Sequence, residues 1–231
     1  MERFRDGFEE REAGSETELA VYTDPAGASM VRAVYPHADA VPVEEGWEDR
    51  WKAFHRPVRA GGLWIGPPWI AAPKDAAAVV VDPGRAFGTG AHPTTRACIE
   101  LLARLERGSL LDAGCGSGVV AVAAARLGFG PVRAVDVDAV AVEVAAETAR
   151  LNGVDVEVAL ADVLLDELPA ADVLVANIEL AIVERLLVRV GARVAVTSGY
   201  LASERPEAGR WSPVDRLELE GWAADVYAGR H

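Results

Sequence analysis

The sequence contains little that would suit an oxidising compartment or a membrane. Its 231 residues include two cysteines, Cys98 and Cys115, which are too few for a disulfide framework and form no CxxC pair. It contains no run of eighteen apolar residues, and the charged amino-terminal stretch lacks the apolar core of a signal peptide. We therefore expect a cytoplasmic protein without a transmembrane helix.

Basic residues are also few in comparison with acidic ones. The chain has 23 lysines and arginines against 36 aspartates and glutamates, and residues 1–45 alone hold four basic and eleven acidic side chains. A negative surface repels phosphate backbones, so nonspecific nucleic-acid binding is not expected. Such a surface attracts a cationic partner, although an acidic segment that only aids solubility is the alternative. The four histidines lack the spacing of metal ligands, so no metal site is expected.

The residue pattern divides the chain into three regions. Residues 1–45 predict a small αββ appendage, with a helix over 2–13 and strands over 17–23 and 28–35. Residues 46–75, rich in tryptophan and proline, predict a connector that docks the appendage, with an aromatic platform for substrate as the alternative. Residues 76–231 alternate valine-rich and alanine-rich runs with helical segments, which is typical of an α/β fold with helices on both faces of a parallel sheet.

The third region predicts seven strands. Five of them lie near 109–113, 132–137, 156–160, 171–178 and 192–200, and the last two form a hairpin at the sheet edge. Helices are expected near 117–128, 139–151 and 179–190, and another is expected to begin near Pro93, because proline is favoured in a first turn.

A glycine-rich stretch, DAGCGSG (112–118), joins the first of these strands to a helix. Gly114, Gly116 and Gly118 allow a tight turn and close approach of a ligand, and the N–H groups of the following helix favour an anion. A dinucleotide fingerprint would need glycine at position 119, where this chain has valine. Asp136, at the end of the next strand, can accept both hydroxyls of a ribose, while Asp138 is better placed to cap the helix that follows. The pattern favours a nucleoside with a small anion, such as S-adenosylmethionine.

These features together resemble the class I, Rossmann-like S-adenosylmethionine-dependent methyltransferases. Three further stretches are similar to the PrmA family, the methyltransferases of ribosomal protein L11: EEGWEDRWKAFHRPVRAGGLWIGPPW (44–69), DPGRAFGTGAHPTT (82–95) and VANIEL (175–180). The resemblance covers about residues 45–200. It implies a protein N-methyltransferase that modifies a lysine or an N-terminal amine and uses S-adenosylmethionine. It also implies that residues 1–45 are a shortened ferredoxin-like domain that recognises the substrate.

The resemblance also implies the site residues. Asn177 would be catalytic, with its carbonyl accepting an N–H of the acceptor amine; a satisfied polar residue at the end of a strand is the alternative. Asp162 would accept from the adenine amino group, and Phe87 would cover the cofactor between glycine hinges. The implied cofactor-binding residues are Phe87, Gly88, Thr89, Thr95, Gly114, Gly116, Asp136, Asp162 and Asn177.

Two other residues have more than one interpretation. Glu179 departs from the apolar residue that the family commonly has there, and it either pairs with a cationic substrate or lies on a solvated helix face. His92 either acts as a base or makes a hydrogen bond at a helix entry. The expected acceptor is ribosomal protein L11, with another protein or a small amine as the alternative. A non-catalytic cofactor-binding module and an NAD-dependent oxidoreductase are the other candidate functions.

Overall fold

The computed structural model describes residues 9–13, 16–20, 25–39, 55–83 and 88–229. They belong to two compact units, one within residues 1–50 and the other within residues 51–231. Among these residues, no helix is long and apolar enough to cross a membrane. The same part of the chain contains no cluster of histidine, cysteine or carboxylate side chains that could hold a metal ion.

In the described part of the first unit, two strands precede a helix, so the predicted αββ order is wrong. Strands β1 (Glu9–Ala13) and β2 (Glu16–Ala20) pair in antiparallel register, and helix α1 spans Pro25–Val34. Glutamate, arginine and alanine favour a helix intrinsically, but cross-strand pairing overrides that preference over 9–13. Proline at the first position of α1 is already set for a helix, which explains why the strand predicted over 28–35 is a helix instead.

The described part of the predicted connector belongs to the second unit. Strand β3 (Val58–Ala60) pairs antiparallel with β4 (Leu63–Gly66), and β4 pairs in parallel with β5 (Ala78–Val80). Leu63, Ile65 and Val79 lie in the same buried cluster as the core of the following region. The β4–β5 pairing crosses the expected boundary between residues 75 and 76. The three-region division itself stays a prediction, as does the docking role of the tryptophans, of which Trp47 and Trp51 lie outside the described residues.

Seven strands form the central sheet, as the sequence predicts. In chain order they are β6 (Leu110–Ala113), β7 (Val132–Asp136), β8 (Glu157–Leu160), β9 (Val173–Asn177), β10 (Val194–Leu201), β11 (Trp211–Leu219) and β12 (Trp222–Gly229). Their order in the sheet is β11-β12-β10-β9-β6-β7-β8. Strand β12 is antiparallel to both of its neighbours, and the other pairs are parallel. The predicted edge hairpin is confirmed.

Helices cover both faces of this sheet, so the predicted α/β class is confirmed. They are α2 (Pro93–Arg104), α3 (Val119–Arg126), α4 (Ala139–Asn152) and α5 (Leu180–Arg189). Buried residues of α2, α3 and α4 join one apolar cluster, whereas those of α5 join a second one. Adjacent residues of β6 separate in the same way, with Leu110 in the first cluster and Leu111 in the second.

The sheet order defines where a ligand is expected. After β6 the chain adds β7 and β8 on one side of that strand, and it then crosses to add β9 on the other side. At such a switch point the connections leave in opposite directions, so a crevice opens beyond the carboxyl ends of the strands. The glycine-rich turn after β6 and the last residue of β9, Asn177, both lie at this crevice.

Candidate active site

The glycine-rich turn after β6 has the conformation that its sequence predicts. Gly114, Gly116 and Gly118 have φ angles of 76°, 53° and 76°, a region that residues with a side chain rarely adopt. A Cβ on Gly114 would lie 2.4 Å from Cγ2 of Ile178, and a Cβ on Gly118 would lie 2.9 Å from the Cα of Ala145. Glycine at these positions therefore lets β6 turn directly into α3 against two packed neighbours.

Asp136 is joined to this turn by its carboxylate. Its Oδ2 accepts the N–H of Gly116 at 2.9 Å, and its Oδ1 accepts the N–H of Asp138 at 3.0 Å. Asp138 caps α4 by accepting the N–H of Val140 at 2.9 Å, which confirms its predicted capping role, while the ribose-binding role of Asp136 stays a prediction. The two backbone hydrogen bonds hold the half-buried carboxylate of Asp136 at the end of β7. Each carboxylate oxygen has further acceptor capacity for a ligand hydroxyl.

Asn177 and Thr95 meet across the site. The Nδ2 of Asn177 donates to Oγ1 of Thr95 at 3.3 Å, so the end of β9 is tied to the first turn of α2. Thr95 is 1% exposed, whereas Asn177 is half-buried. None of the described residues donates to Oδ1 of Asn177. The amide is therefore oriented with its oxygen left as an acceptor.

The described glycines of the stretch 82–95 lie against the glycine-rich turn after β6. Oγ of Ser117 donates to the carbonyl oxygen of Gly88 at 2.5 Å. Gly90 has a φ of 81°, and a Cβ there would lie 2.5 Å from Cγ2 of Ile65. The hydroxyl of Thr89 accepts the N–H of Ala91 within its own loop at 3.4 Å. Phe87 lies outside the described residues, so its predicted position over the cofactor stays a prediction.

Asp162 follows β8 and lies beside the strand that carries Asp136. The N–H of Ala161 donates to the backbone oxygen of Asp136 at 2.9 Å. Oδ1 of Asp162 accepts the N–H of Leu164 at 2.8 Å, so one of its two carboxylate oxygens organises its own turn. The structure thus brings Asp162 to the β7–β8 side of the crevice, where the sequence predicts the adenine end of the ligand.

The structure adds Asp112, which the sequence interpretation missed. This residue is 2% exposed, and its Oδ2 has no hydrogen-bond partner among the described residues. The pKa of Asp112 is raised to about 7, chiefly by burial; the backbone N–H of Ala121 lowers it and the charge of Asp136 adds a smaller increase. The available signal was a carboxylate in the otherwise apolar strand LLDA, directly before the glycines.

The geometry supports neither a cysteine nucleophile nor His92 as a base. Burial raises the pKa of the Cys98 thiol to about 12 and also raises the pKa of Cys115, so both thiols stay protonated near neutral pH. His92 caps α2 through Nδ1, which lies 2.7 Å from Oγ1 of Thr94 and 3.4 Å from its backbone nitrogen. Burial and then Arg96 lower the pKa of His92. The helix-entry interpretation of His92 is therefore confirmed.

The sheet order, the glycine-rich turn and the strand-end aspartate together define a Rossmann-like domain of the methyltransferase class. A sequence model of this class, "Ribosomal protein L11 methyltransferase (PrmA)", matches residues 28–204. The chain belongs to this family, which confirms the resemblance seen in its motifs.

Curated relatives and one solved structure agree with this assignment. The ribosomal protein L11 methyltransferase of Dictyoglomus thermophilum is 36% identical over 196 residues, covering 78% of this chain and 64% of that protein. The one from Symbiobacterium thermophilum is 42% identical over 199 residues, covering 78% and 65%. The ribosomal protein L11 methylase structure from Lactobacillus delbrueckii subsp. bulgaricus has a TM-score of 0.68 at 25% identity, covering 77% of this chain and 100% of that one. The chain thus spans somewhat less than two thirds of the length of these two curated relatives.

Proposed function

We propose that this protein transfers a methyl group from S-adenosylmethionine to a lysine or N-terminal amine of a protein in the cytoplasm, with ribosomal protein L11 as the favoured acceptor. One observation carries the proposal. In a member of the L11 methyltransferase family, the glycine-rich turn, Asp136 and the Asn177–Thr95 pair converge on one crevice at the carboxyl ends of β6, β7 and β9.

The residues present fit S-adenosylmethionine, which supplies a methyl group on a positively charged sulfur. Because Gly114 and Gly116 carry no Cβ, a ligand could approach the backbone of this turn closely, and Asp136 would accept the ribose hydroxyls. The unpartnered buried oxygen of Asp112 suits an ammonium group, because a buried carboxylate needs a charged partner. The N–H groups that open α3 suit a carboxylate.

Three further contacts are extensions of this proposal. Asp162 would accept from the adenine amino group, since it lies beside the strand that carries Asp136. Gly88 and Thr89 would form the near wall of the crevice, because Gly88 is bonded to the glycine-rich turn through Ser117. Phe87, which precedes Gly88 in the sequence, would cover the cofactor.

Asn177 would perform the catalytic alignment. A lysine amine is normally protonated near neutral pH, and it must present a free lone pair in order to react. The Oδ1 of Asn177 would accept one N–H of the neutral amine and so direct its lone pair, while Thr95 holds the amide in orientation. Such alignment accelerates a displacement reaction without a covalent intermediate on the enzyme.

The proposed partner is a basic protein. The relatives are named for methylation of a ribosomal protein, and the net charge of −13 favours a cationic partner over nucleic acid or an anionic membrane surface. We assign the recognition of this partner to the first unit. Its two strands carry glutamates at positions 9, 10, 12, 16 and 18.

The test combines calorimetry with radiolabelled methyl transfer into unmethylated ribosomal protein L11. We expect the Asn177→Ala variant to lose about a hundredfold or more in kcat and to bind S-adenosylhomocysteine only slightly more weakly than the wild type, since Asn177 is also an expected cofactor contact. Asp136→Asn should instead weaken cofactor binding about ten- to a hundredfold, since hydrogen bonds to a charged acceptor are lost.

Each other outcome points to a different function. Label on another protein or a small amine would replace the proposed acceptor. Cofactor binding with equal activity in wild type and Asn177→Ala would indicate a non-catalytic module. Absence of heat with S-adenosylhomocysteine would refute the proposal, and heat with NAD in its place would indicate an oxidoreductase.

A further inference from the structure

The sheet order separates two sides of the crevice. Asp136 and the glycine-rich turn lie on the β6–β7 side of Asn177, whereas β10 lies on the other side of β9. If the proposed function holds, the cofactor occupies the β6–β7 side. An acceptor amine that meets Asn177 must then be accommodated on the β10 side, and the residues there determine which acceptors fit.

The chain leaving Asn177 is fixed between these two sides. The N–H of Ile178 donates to the carbonyl oxygen of Ser198 on β10 at 3.1 Å. A Cβ on Gly199, which has a φ of 103°, would lie 2.2 Å from the backbone oxygen of Ile178. A Cβ on Gly114 would lie 2.4 Å from Cγ2 of the Ile178 side chain. Gly199 therefore confines the backbone of Ile178, and Gly114 confines its side chain. The next residue, Glu179, follows Asn177 by two positions at the same edge of the sheet.

Glu179 is the N-cap residue of α5, but its side chain does not cap the helix. In contrast, the side chains of His92 and Asp138 accept backbone N–H groups of α2 and α4. Glu179 is exposed, and none of the described basic side chains pairs with it. Its carboxylate is therefore available to an external partner.

A carboxylate beside the amide has two possible cationic partners in an amine acceptor. Pairing with the reacting amine itself would stabilise the protonated form, which has no lone pair and cannot react. Pairing with a second positive charge next to that amine carries no such penalty. It would leave the neutral amide of Asn177 to handle the reacting nitrogen.

We propose that Glu179 is a specificity-determining residue that pairs with a cationic side chain flanking the methylated amine of the acceptor. This inference rests on the proposed function, and it assigns the acceptor's chemistry: an amine with a neighbouring lysine or arginine.

The test measures methylation of unmethylated ribosomal protein L11 by the full-length Glu179→Gln variant. At low ionic strength we expect KM for L11 to rise about three- to fivefold, the size of an exposed ion pair, with little change in kcat. The increase should shrink at high salt, because screening weakens exposed pairs. Glu179→Asp should restore most of the wild-type KM.

Glu106→Gln is the matched control. Glu106 is equally exposed but precedes β6 at the opposite, amino end of the sheet, so its substitution removes one charge far from the crevice. Its KM should equal that of the wild type. Affinity for S-adenosylhomocysteine, measured by calorimetry, should be the same in all variants, because Glu179 lies on the acceptor side.

The outcomes separate this inference from the function on which it rests. If the wild type methylates L11 and the Glu179→Gln and Glu106→Gln variants share its KM at every salt concentration, Glu179 has no role in specificity. A salt-independent change in thermal midpoint and kcat without a change in KM would mean that Glu179 only supports α5. If the wild type neither binds nor methylates L11, the proposed acceptor and this inference fail together.

Discussion

The two halves of the crevice are built from contacts of very different sequence range. On the cofactor side, Asp136 and the glycine turn lie on consecutive strands, and their hydrogen bond joins residues 20 apart. On the acceptor side, Asn177 meets Thr95 across 82 residues, and Arg96 meets Glu220 across 124. The first half is one supersecondary unit, so its geometry is largely local. The second half exists only once the whole sheet has formed.

Ile178 lies between these halves. Substitutions of the two glycines packed against it, Gly114 and Gly199, should give the largest effects that test the comparison. Gly114→Ala places a Cβ against the Ile178 side chain, whereas Gly199→Ala places one against its backbone, 2.2 Å from the oxygen and 2.7 Å from the carbon. Both also force alanine to a positive φ. We expect Gly199→Ala to lower the free energy of unfolding by more than about 3 kcal/mol and Gly114→Ala by about 2 kcal/mol.

A second substitution distinguishes the two clashes. Ile178→Ala removes the atom that Gly114→Ala would strike but leaves the backbone that Gly199→Ala would strike. In double-mutant cycles measured by urea unfolding, Ile178→Ala should therefore relieve the cost of Gly114→Ala and not that of Gly199→Ala. Equal relief in both cycles would show that the halves respond alike and would contradict the comparison.

The same difference in range explains what could be predicted from the sequence. The strands and helices of residues 109–229 are marked by apolar runs and helical spacing, and the structure confirms them with ends shifted by at most a few residues. The glycine-rich turn and the capping role of Asp138 follow from neighbours in the chain, so they were also predictable. Asn177 and Thr95 were each named through family resemblance, but their hydrogen bond was not predicted, because no local pattern links residues on two distant elements.

The errors have two physical origins. Over 9–13, helix-favouring residues form a strand because five cross-strand pairs outweigh intrinsic preference. Intrinsic preference can be estimated from the residues themselves, whereas cross-strand pairing depends on a partner segment elsewhere in the chain. Asp112 was missed because its significance lies in burial and in an oxygen without a partner, which depend on how α2, α3 and the sheet pack together. The covering role of Phe87 stays a prediction, and so do the region boundaries at residues 45 and 75.

Asp112 gives a second test, with an effect of intermediate size, because its buried carboxylate lowers the free energy of unfolding. Its pKa is about 7 in the folded protein and about 3.8 as an ordinary carboxyl group. Between these values the folded state retains a proton that the unfolded state releases, so stability falls as pH rises through this window and remains lower above it. Asp112→Asn should remove this dependence and stabilise the ligand-free protein by a few kcal/mol at pH 8, measured by urea unfolding.

Two further measurements complete that test. At pH 5, where Asp112 is mostly protonated in the folded protein, the gain from Asp112→Asn should be much smaller. The exposed control Asp155→Asn should show little gain at either pH. Affinity for S-adenosylhomocysteine should fall in Asp112→Asn, since the proposed partner of the ligand ammonium is lost. An equal gain at both pH values would mean that burial does not raise the pKa of Asp112.

The smallest expected effect is on the acceptor side, where Arg96 holds the β11–β12 turn through Glu220. Their NH2 and Oε1 atoms lie 2.6 Å apart, with the arginine side chain 20% exposed and the glutamate 61% exposed. Water and salt screen such a pair, so Glu220→Gln should cost less than about 1 kcal/mol, and the loss should vanish at high salt. The edge contact between the rings of His92 and Trp222, with centroids 4.9 Å apart, still joins the turn to α2 in this variant. Cofactor affinity should not change, and a measurable decrease would show that the two halves of the crevice are coupled.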